Sequence, residues 1–275
     1  MSPTAIPTGQ KGTLPSGHPY LRVGSGPHTV VYVGGIEFKP GLPDDRELVR
    51  LSGDFERHGD RVTTWLVWRR PHTGPTTMAE IAAGYADAIR TELPVLGAPG
   101  GPVGVFGVST GGAIAQQLAA DHPDAVSRLV LSLCADRFDE PGMRFQKEME
   151  GFIRAGKWRR VYARLGPIFM PKHRRIARYL FWLMGPVMMP PPKDPTHMLA
   201  ELEAEDDLDL GARLATIVAP TLVQGAEHDE LYAPARTRAL AAAIPGARIV
   251  TYPGVGHMGP GPALTDDAYA FLTEA

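Results

Sequence analysis

The run at 103–120, VGVFGVSTGGAIAQQLAA, constrains the fold more than any other part of the chain. Six small or apolar residues read as a short buried strand. A helical pattern begins immediately after Ser109, so a strand stops and a helix starts with no loop between them. The chain must turn sharply at the serine. Gly107 and Gly111 leave room for that turn, and Gly112 lets the helix pack close to the sheet. With 31 glycines and seven serines, G-x-S-x-G arises by accident in roughly one such chain in ten, so the strand and helix around it carry the argument. The plain alternative is a strand-to-helix turn with Ser109 as N-cap.

The same alternation runs through most of the sequence. HPYLRV, HTVVYVGG and DRVTTWLVWRR read as strands, VSRLVLSLC follows the first helix pair, and TIVAPTLVQG and ARIVTYPG recur near the end. Between them TTMAEIAAGYADAIRTEL, APARTRALAAAI and PALTDDAYAFLTEA have helical spacing, and Thr77 with Glu80 matches a capping box. Strands alternating with helices predict an α/β fold: a mostly parallel central sheet with helices on both faces. The chain of 275 residues suffices for one large domain with an insertion. The single cysteine, Cys134, lies in LVLSLC and reads as core; it excludes an internal disulfide and a cysteine-built zinc site.

The rhythm breaks between 137 and 207, predicting a helical cap there and a core of 1–136 with 208–275. From Arg137 to Arg178 there are twelve Lys/Arg against four Asp/Glu, and from Asp194 to Asp209 seven Asp/Glu. Blocks of opposite sign read as paired or solvated helix faces. With a formal charge of −2 overall, they argue against a nucleic-acid or membrane-surface module. The most lipophilic run, YLFWLMGPVMM, is too short to span a bilayer and is broken by Gly185 and Pro186, so no stable membrane insertion is expected. MSPTAIPTGQKGT shows no secretion signal, and a cytoplasmic location is the expectation.

A nucleophilic serine needs a base and a carboxylate to orient that base. His257, in YPGVGHMG, follows the last strand, and Asp229, in PTLVQGAEHDELYAP, follows the one before it. His228 adjoins Asp229 in sequence, which disfavours it as the residue that Asp229 orients. Asp136, after the strand that follows the serine, is the alternative acid. The order Ser109, Asp229, His257, each after a strand, resembles the α/β-hydrolase fold superfamily of serine hydrolases, esterase- or lipase-like and with a helical cap. The resemblance runs from about Leu14 to the C-terminus.

It implies an oxyanion hole formed by the backbone N–H groups of Ile36, in VVYVGGIEF, and Thr110. Gly34 stands where relatives often carry histidine, and Gly35 fits the family's glycine. Relatives often carry Asp and a glycine-rich turn where this chain has WRRPHTG. Arg69 and Arg70 there are candidates for a substrate carboxylate, with a structural ion pair as the plainer reading. Gly35, Trp182, Met184 and Met258 complete the candidate substrate residues, and Met198 is a candidate for the apolar lining of the insertion.

The resemblance implies hydrolysis of carboxylic esters, or of related lactones and thioesters, through an acyl-enzyme. The expected partner is a small, partly apolar acyl substrate, with no metal and no organic cofactor. C–C bond hydrolysis, cofactor-free perhydrolysis and a hydrolase-fold small-molecule receptor stay open, as does the choice between monomer and homodimer.

Overall fold

The computed structural model describes residues 10–274; the run read for a secretion signal therefore lies largely outside the described residues. In chain order the elements are β1 (Lys11–Thr13), β2 (Pro19–Val23), β3 (His28–Val33), α1 (Asp45–Glu56), β4 (Val62–Val67), α2 (Met78–Asp87), β5 (Val103–Val108), α3 (Thr110–Asp121) and β6 (Val126–Ser132). Four helices follow: α4 (Glu140–Arg154), α5 (Trp158–Phe169), α6 (Arg174–Met188) and α7 (Thr196–Asp206). The chain closes with β7 (Thr221–Ala226), α8 (Pro234–Ala243), β8 (Arg248–Tyr252) and α9 (Pro262–Leu272).

The strands form one eight-stranded sheet in the order β1-β2-β4-β3-β5-β6-β7-β8. Its first two pairings are antiparallel and the remainder parallel. This is the α/β-hydrolase fold. Neighbouring residues on a strand point to opposite faces. Val31, Val105 and Leu129 accordingly join a core under α2 and α3, while Val30, Phe106 and Val130 join a second core under α1 and α9. Both faces are covered, which is why these strands read as nearly continuous apolar runs. In register, Val33 lies beside Gly107 and Val108 beside Ser132. The carboxyl ends of β3, β5 and β6 thus share one edge.

Two differences from the sequence reading have simple causes. Helix α1 is absent from the sequence reading although Leu48, Ser52 and Phe55 share its buried face, because that face is short and interrupted by a serine. Its start is a cap, where Asp44 accepts the N–H groups of Arg46 and Glu47, each at 3.0 Å. The strand read in TIVAPTLVQG begins only at Thr221, because Pro220 has no N–H to give to a ladder. The Thr77–Glu80 capping box forms as expected.

The segment after β6 is helical throughout its regular parts, with α4 and α7 against the body. Met149, Ile153, Met198 and Leu202 form an apolar cluster with Ile36 and Phe38 from the loop after β3. Met198 is 2% exposed and fills this cluster. Helices α5 and α6 form a hairpin whose close approach depends on glycine: a Cβ at Gly166 would lie 2.5 Å from the Ala177 carbonyl oxygen. Among the described residues, no helix is long and apolar enough to cross a membrane.

Candidate active site

Ser109 sits between β5 and α3 with φ 55° and ψ −125°, a conformation that L-residues rarely adopt. The strain is held from both sides. The Ser109 N–H donates to Ser132 O at 2.9 Å, and its carbonyl accepts the Gly112 N–H at 2.7 Å. A Cβ at Gly111 would collide with the Val33 carbonyl, and one at Gly112 would lie 2.5 Å from Cys134 Sγ. The helix can therefore press against β3 and β6 only with glycine at both positions. Ser109 makes no side-chain cap bond to α3, so its hydroxyl is available for other work.

That hydroxyl lies 3.1 Å from His257 Nε2. The other ring nitrogen, Nδ1, is 3.0 and 3.2 Å from the two carboxylate oxygens of Asp229. The loop after β7 fixes this carboxylate, since Asp229 Oδ1 also accepts the N–H groups of Leu231 at 2.9 Å and Tyr232 at 3.0 Å. Residues separated by 148 and 28 positions are thus brought into one relay. Asp136 is not part of it. Its carboxylate pairs with Arg236, and burial pushes its pKa up. His228 turns outward toward Glu227 and is exposed.

Gly35 lies against the serine, where an added Cβ would stand 3.4 Å from Ser109 Cβ. Among the described residues, the N–H groups of Ile36 and Thr110 donate to no acceptor in the protein. They flank Ser109 from the β3 loop and from the start of α3.

Of the two readings of Arg69, a substrate carboxylate and the plainer structural ion pair, its surroundings bear out the ion pair. Arg69 is completely buried. Its Nε and Nη2 donate to Glu201 at 2.8 and 2.7 Å, and Nη1 lies 3.3 Å from Glu37. Nη1 and Nη2 also donate to the carbonyls of Gly34 at 2.8 Å and Gly35 at 2.6 Å. Of the five N–H donors of a guanidinium, four make hydrogen bonds here, and Glu37 supplies a second carboxylate beside the charge. Burial works against the charge, but Glu201 and Glu37 outweigh it and hold Arg69 firmly protonated. Arg70 is exposed, and its charge acts on His18, His72 and Glu80.

Sequence reasoning missed the partners of this arginine. Helix α7 presents His197, Glu201 and Glu205 one turn apart, all buried. His197 Nδ1 accepts the His72 N–H at 3.1 Å, and Glu205 accepts the Thr110 hydroxyl at 2.9 Å and the Tyr232 hydroxyl. Burial raises the Glu205 pKa. The signal was present as a four-residue repeat of polar residues in HMLAELEAE, which was absorbed into a generic acidic block. His72, His197 and Glu201 also come within metal-ligand reach of one another. Arg69 already holds both Glu201 oxygens and the His72 N–H occupies His197 Nδ1, whereas His72 Nε2 is buried without a hydrogen-bond partner; a cation there would compete with the arginine for Glu201.

Trp182 and Met184 were expected to line a pocket. Instead they lie on α6 at 42% and 38% exposure, with Trp182 stacked on Tyr179 and covered by Arg159. The buried face of α6 is turned to α5, which leaves these side chains outside. Met258 is exposed beside His257.

Comparison with known proteins gives a consistent picture. The model of the alpha/beta hydrolase family matches residues 37–271. A provisionally named carbamate hydrolase, RutD, of Klebsiella pneumoniae (strain 342) is 31% identical over 155 residues, 56% of this chain. The chain spans only 58% of that curated relative's length. Among solved structures, an enol-lactonase from Burkholderia xenovorans LB400 superposes with TM-score 0.70 at 20% identity, covering 96% of this chain and all of that one. An esterase from Thermogutta terrifontis gives TM-score 0.67 at 19% identity, with 96% of each chain covered. At these identities the structures testify to the fold alone.

Proposed function

The chain belongs to the alpha/beta hydrolase family, and from that premise we propose that it is a serine hydrolase cleaving carboxylic esters through an acyl-enzyme. The observation that carries this reading is the Ser109–His257–Asp229 relay, with separations of 3.1 and 3.0 Å. Ser109 Oγ attacks the acyl carbonyl while His257 Nε2 takes its proton. Asp229 holds the imidazole in the tautomer with Nδ1–H and stabilises the imidazolium that forms. The tetrahedral intermediate collapses as His257 returns the proton to the departing alkoxide. Water, activated by the same histidine, then releases the acid.

The developing oxyanion is held by the N–H groups of Ile36 and Thr110. The Gly35 carbonyl and the Ile36 N–H are opposite ends of one planar trans peptide. Arg69 grips that carbonyl at 2.6 Å, so the N–H is aimed the other way, and the cation polarises it further. In this reading Arg69 is a positioning residue, and Glu201 holds it in place from the helical cap.

A panel of p-nitrophenyl esters of increasing acyl length, with a lactone and an aryl carbamate alongside, tests the proposal and its leaving-group range. Ser109→Ala is expected to lose at least about four orders of magnitude in kcat on every substrate cleaved. Asp229→Asn loses about 10⁴-fold through the wrong tautomer, whereas Asp136→Asn stays near wild type. Equal rates for wild type and Ser109→Ala would sink the acyl-enzyme.

A further inference from the structure

The outer face of α6 has no role in the site. The helix buries Ala177, Phe181 and Gly185 against α5. On the other side Ile176, Leu180, Leu183 and Val187, spaced four, three and four apart, form one stripe at 64, 39, 44 and 72% exposure. Tyr179 and Trp182 border it and stack on each other. Single exposed apolar residues are ordinary, but a continuous stripe along a helix marks a surface meant to be covered.

Charge identifies what covers it. Residues 151–193 contain ten Lys/Arg and no Asp or Glu. Arg154, Arg164 and Arg174 reach acids on other elements. Lys157, Lys172, Arg175 and Arg178 take part in no ion pair among the described residues. The acidic block of α7 looked able to neutralise them, but its carboxylates are engaged elsewhere. Glu201 is on Arg69, Glu205 is on Thr110 and Tyr232, and Asp206 is on Lys147. The α5–α6 hairpin therefore keeps a basic field around an apolar face. A second copy docked there would set two helices without acids against each other. A nucleic acid would satisfy the arginines and leave the stripe in water.

We propose that α6 is an interfacial helix that seats the protein on an anionic lipid surface. The helix is about 22 Å long at 1.5 Å per residue and lies along the bilayer. Its stripe enters the acyl boundary, Tyr179 and Trp182 sit at headgroup level, and Lys172 and Arg175, exposed at the helix start, meet the lipid phosphates. Arg174, at the first turn and on the side away from the stripe, pairs with Glu230 beside Asp229, which ties the start of the helix to the candidate catalytic loop. Binding itself does not depend on the proposed chemistry.

Flotation of the full chain with phosphatidylcholine vesicles, with and without phosphatidylserine, tests this. Wild type and Ser109→Ala are expected to float equally with the anionic vesicles and to be stripped by salt. The double variant Leu180→Glu/Leu183→Glu should keep its unfolding midpoint and lose partitioning roughly a hundredfold. Lys172→Gln/Arg175→Gln should lose it roughly tenfold. Failure to float, or equal flotation by the variants, overturns the proposal. So does a wild-type dimer that the leucine variant dissolves, or retention on single-stranded RNA without flotation.

Discussion

Helix α7 buries His197, Glu201 and Glu205 on one face, whereas its neighbour α6 turns Ile176, Leu180, Leu183 and Val187 to solvent. Both helices lie in the stretch between β6 and β7, and each reverses the usual rule for polar and apolar residues. The reversal has a cause in each case. The charges of α7 are buried because fixed partners await them: the Arg69 guanidinium for Glu201, and the hydroxyls of Thr110 and Tyr232 for Glu205. The apolar residues of α6 are exposed because α5 can cover only one side of it. Charge is tolerated inside where its hydrogen bonds are complete. Apolar surface left outside shows where the fold has supplied no partner.

The largest effect should come from breaking the α7 side. Glu201→Leu takes the two-oxygen partner from a fully buried guanidinium, leaving Glu37 as its one carboxylate, and is expected to cost about 3 kcal/mol in denaturant unfolding. Adding Arg69→Met should recover part of that loss, because the buried guanidinium is gone and the remaining carboxylate, Glu37, keeps His197 beside it. A loss below about 1 kcal/mol would mean that α7 is no strut.

Arg69→Lys sharpens the comparison by keeping the charge and losing the fork. A lysine cannot hold Glu201 and two carbonyls together. If Arg69 aims the Ile36 N–H, kcat on an ester falls about ten- to a hundredfold while KM changes little. Parallel changes in both constants would indicate a disturbed binding surface instead.

A smaller effect is expected in acid. His72 stacks on His197 of α7, and burial, followed by the neighbouring His197, lowers its pKa from 6.5 to about 4. As pH falls through 6.5, the unfolded chain takes up a proton that the folded protein refuses until about pH 4. The stability that wild type holds over His72→Gln is therefore constant above neutrality and shrinks across this window. The slope is at most about 1.4 kcal/mol per pH unit. Partial solvent access brings the total to about 1–2 kcal/mol. Unfolding curves at several pH values would show it, and a pH-independent difference would refute it.

The smallest change belongs to α6. Leu183→Lys removes an exposed apolar side chain that stabilises nothing internal, so the unfolding free energy should stay within about 0.5 kcal/mol of wild type. A larger loss would mean that this face is packed in solution after all.

Much of the site was legible in the chain because its parts are local. Ser109 announces itself through the strand before it, the helix after it and the glycines that admit the turn. Asp229 and His257 each follow a strand, so the parallel sheet delivers them to one edge. Arg69 was open between two readings for a physical reason: an arginine beside a strand end has the same local signature whether it meets a ligand or a buried glutamate. Glu201 lies 132 positions from it, and no local pattern joins the two. Trp182 and Met184 misled, since amphipathic spacing gives a helix two faces without saying which one the body covers.

The sequence by itself therefore determined the alternating α/β architecture, the turn at Ser109 and the chain order of serine, carboxylate and histidine. These follow from residue spacing and from backbone sterics within a few positions. Only the tertiary structure decided that Asp229, not Asp136, faces His257, that Arg69 is spent on the Gly34 and Gly35 carbonyls, and that α6 looks outward. Those outcomes depend on which distant groups complete each hydrogen bond and which surfaces run out of partners.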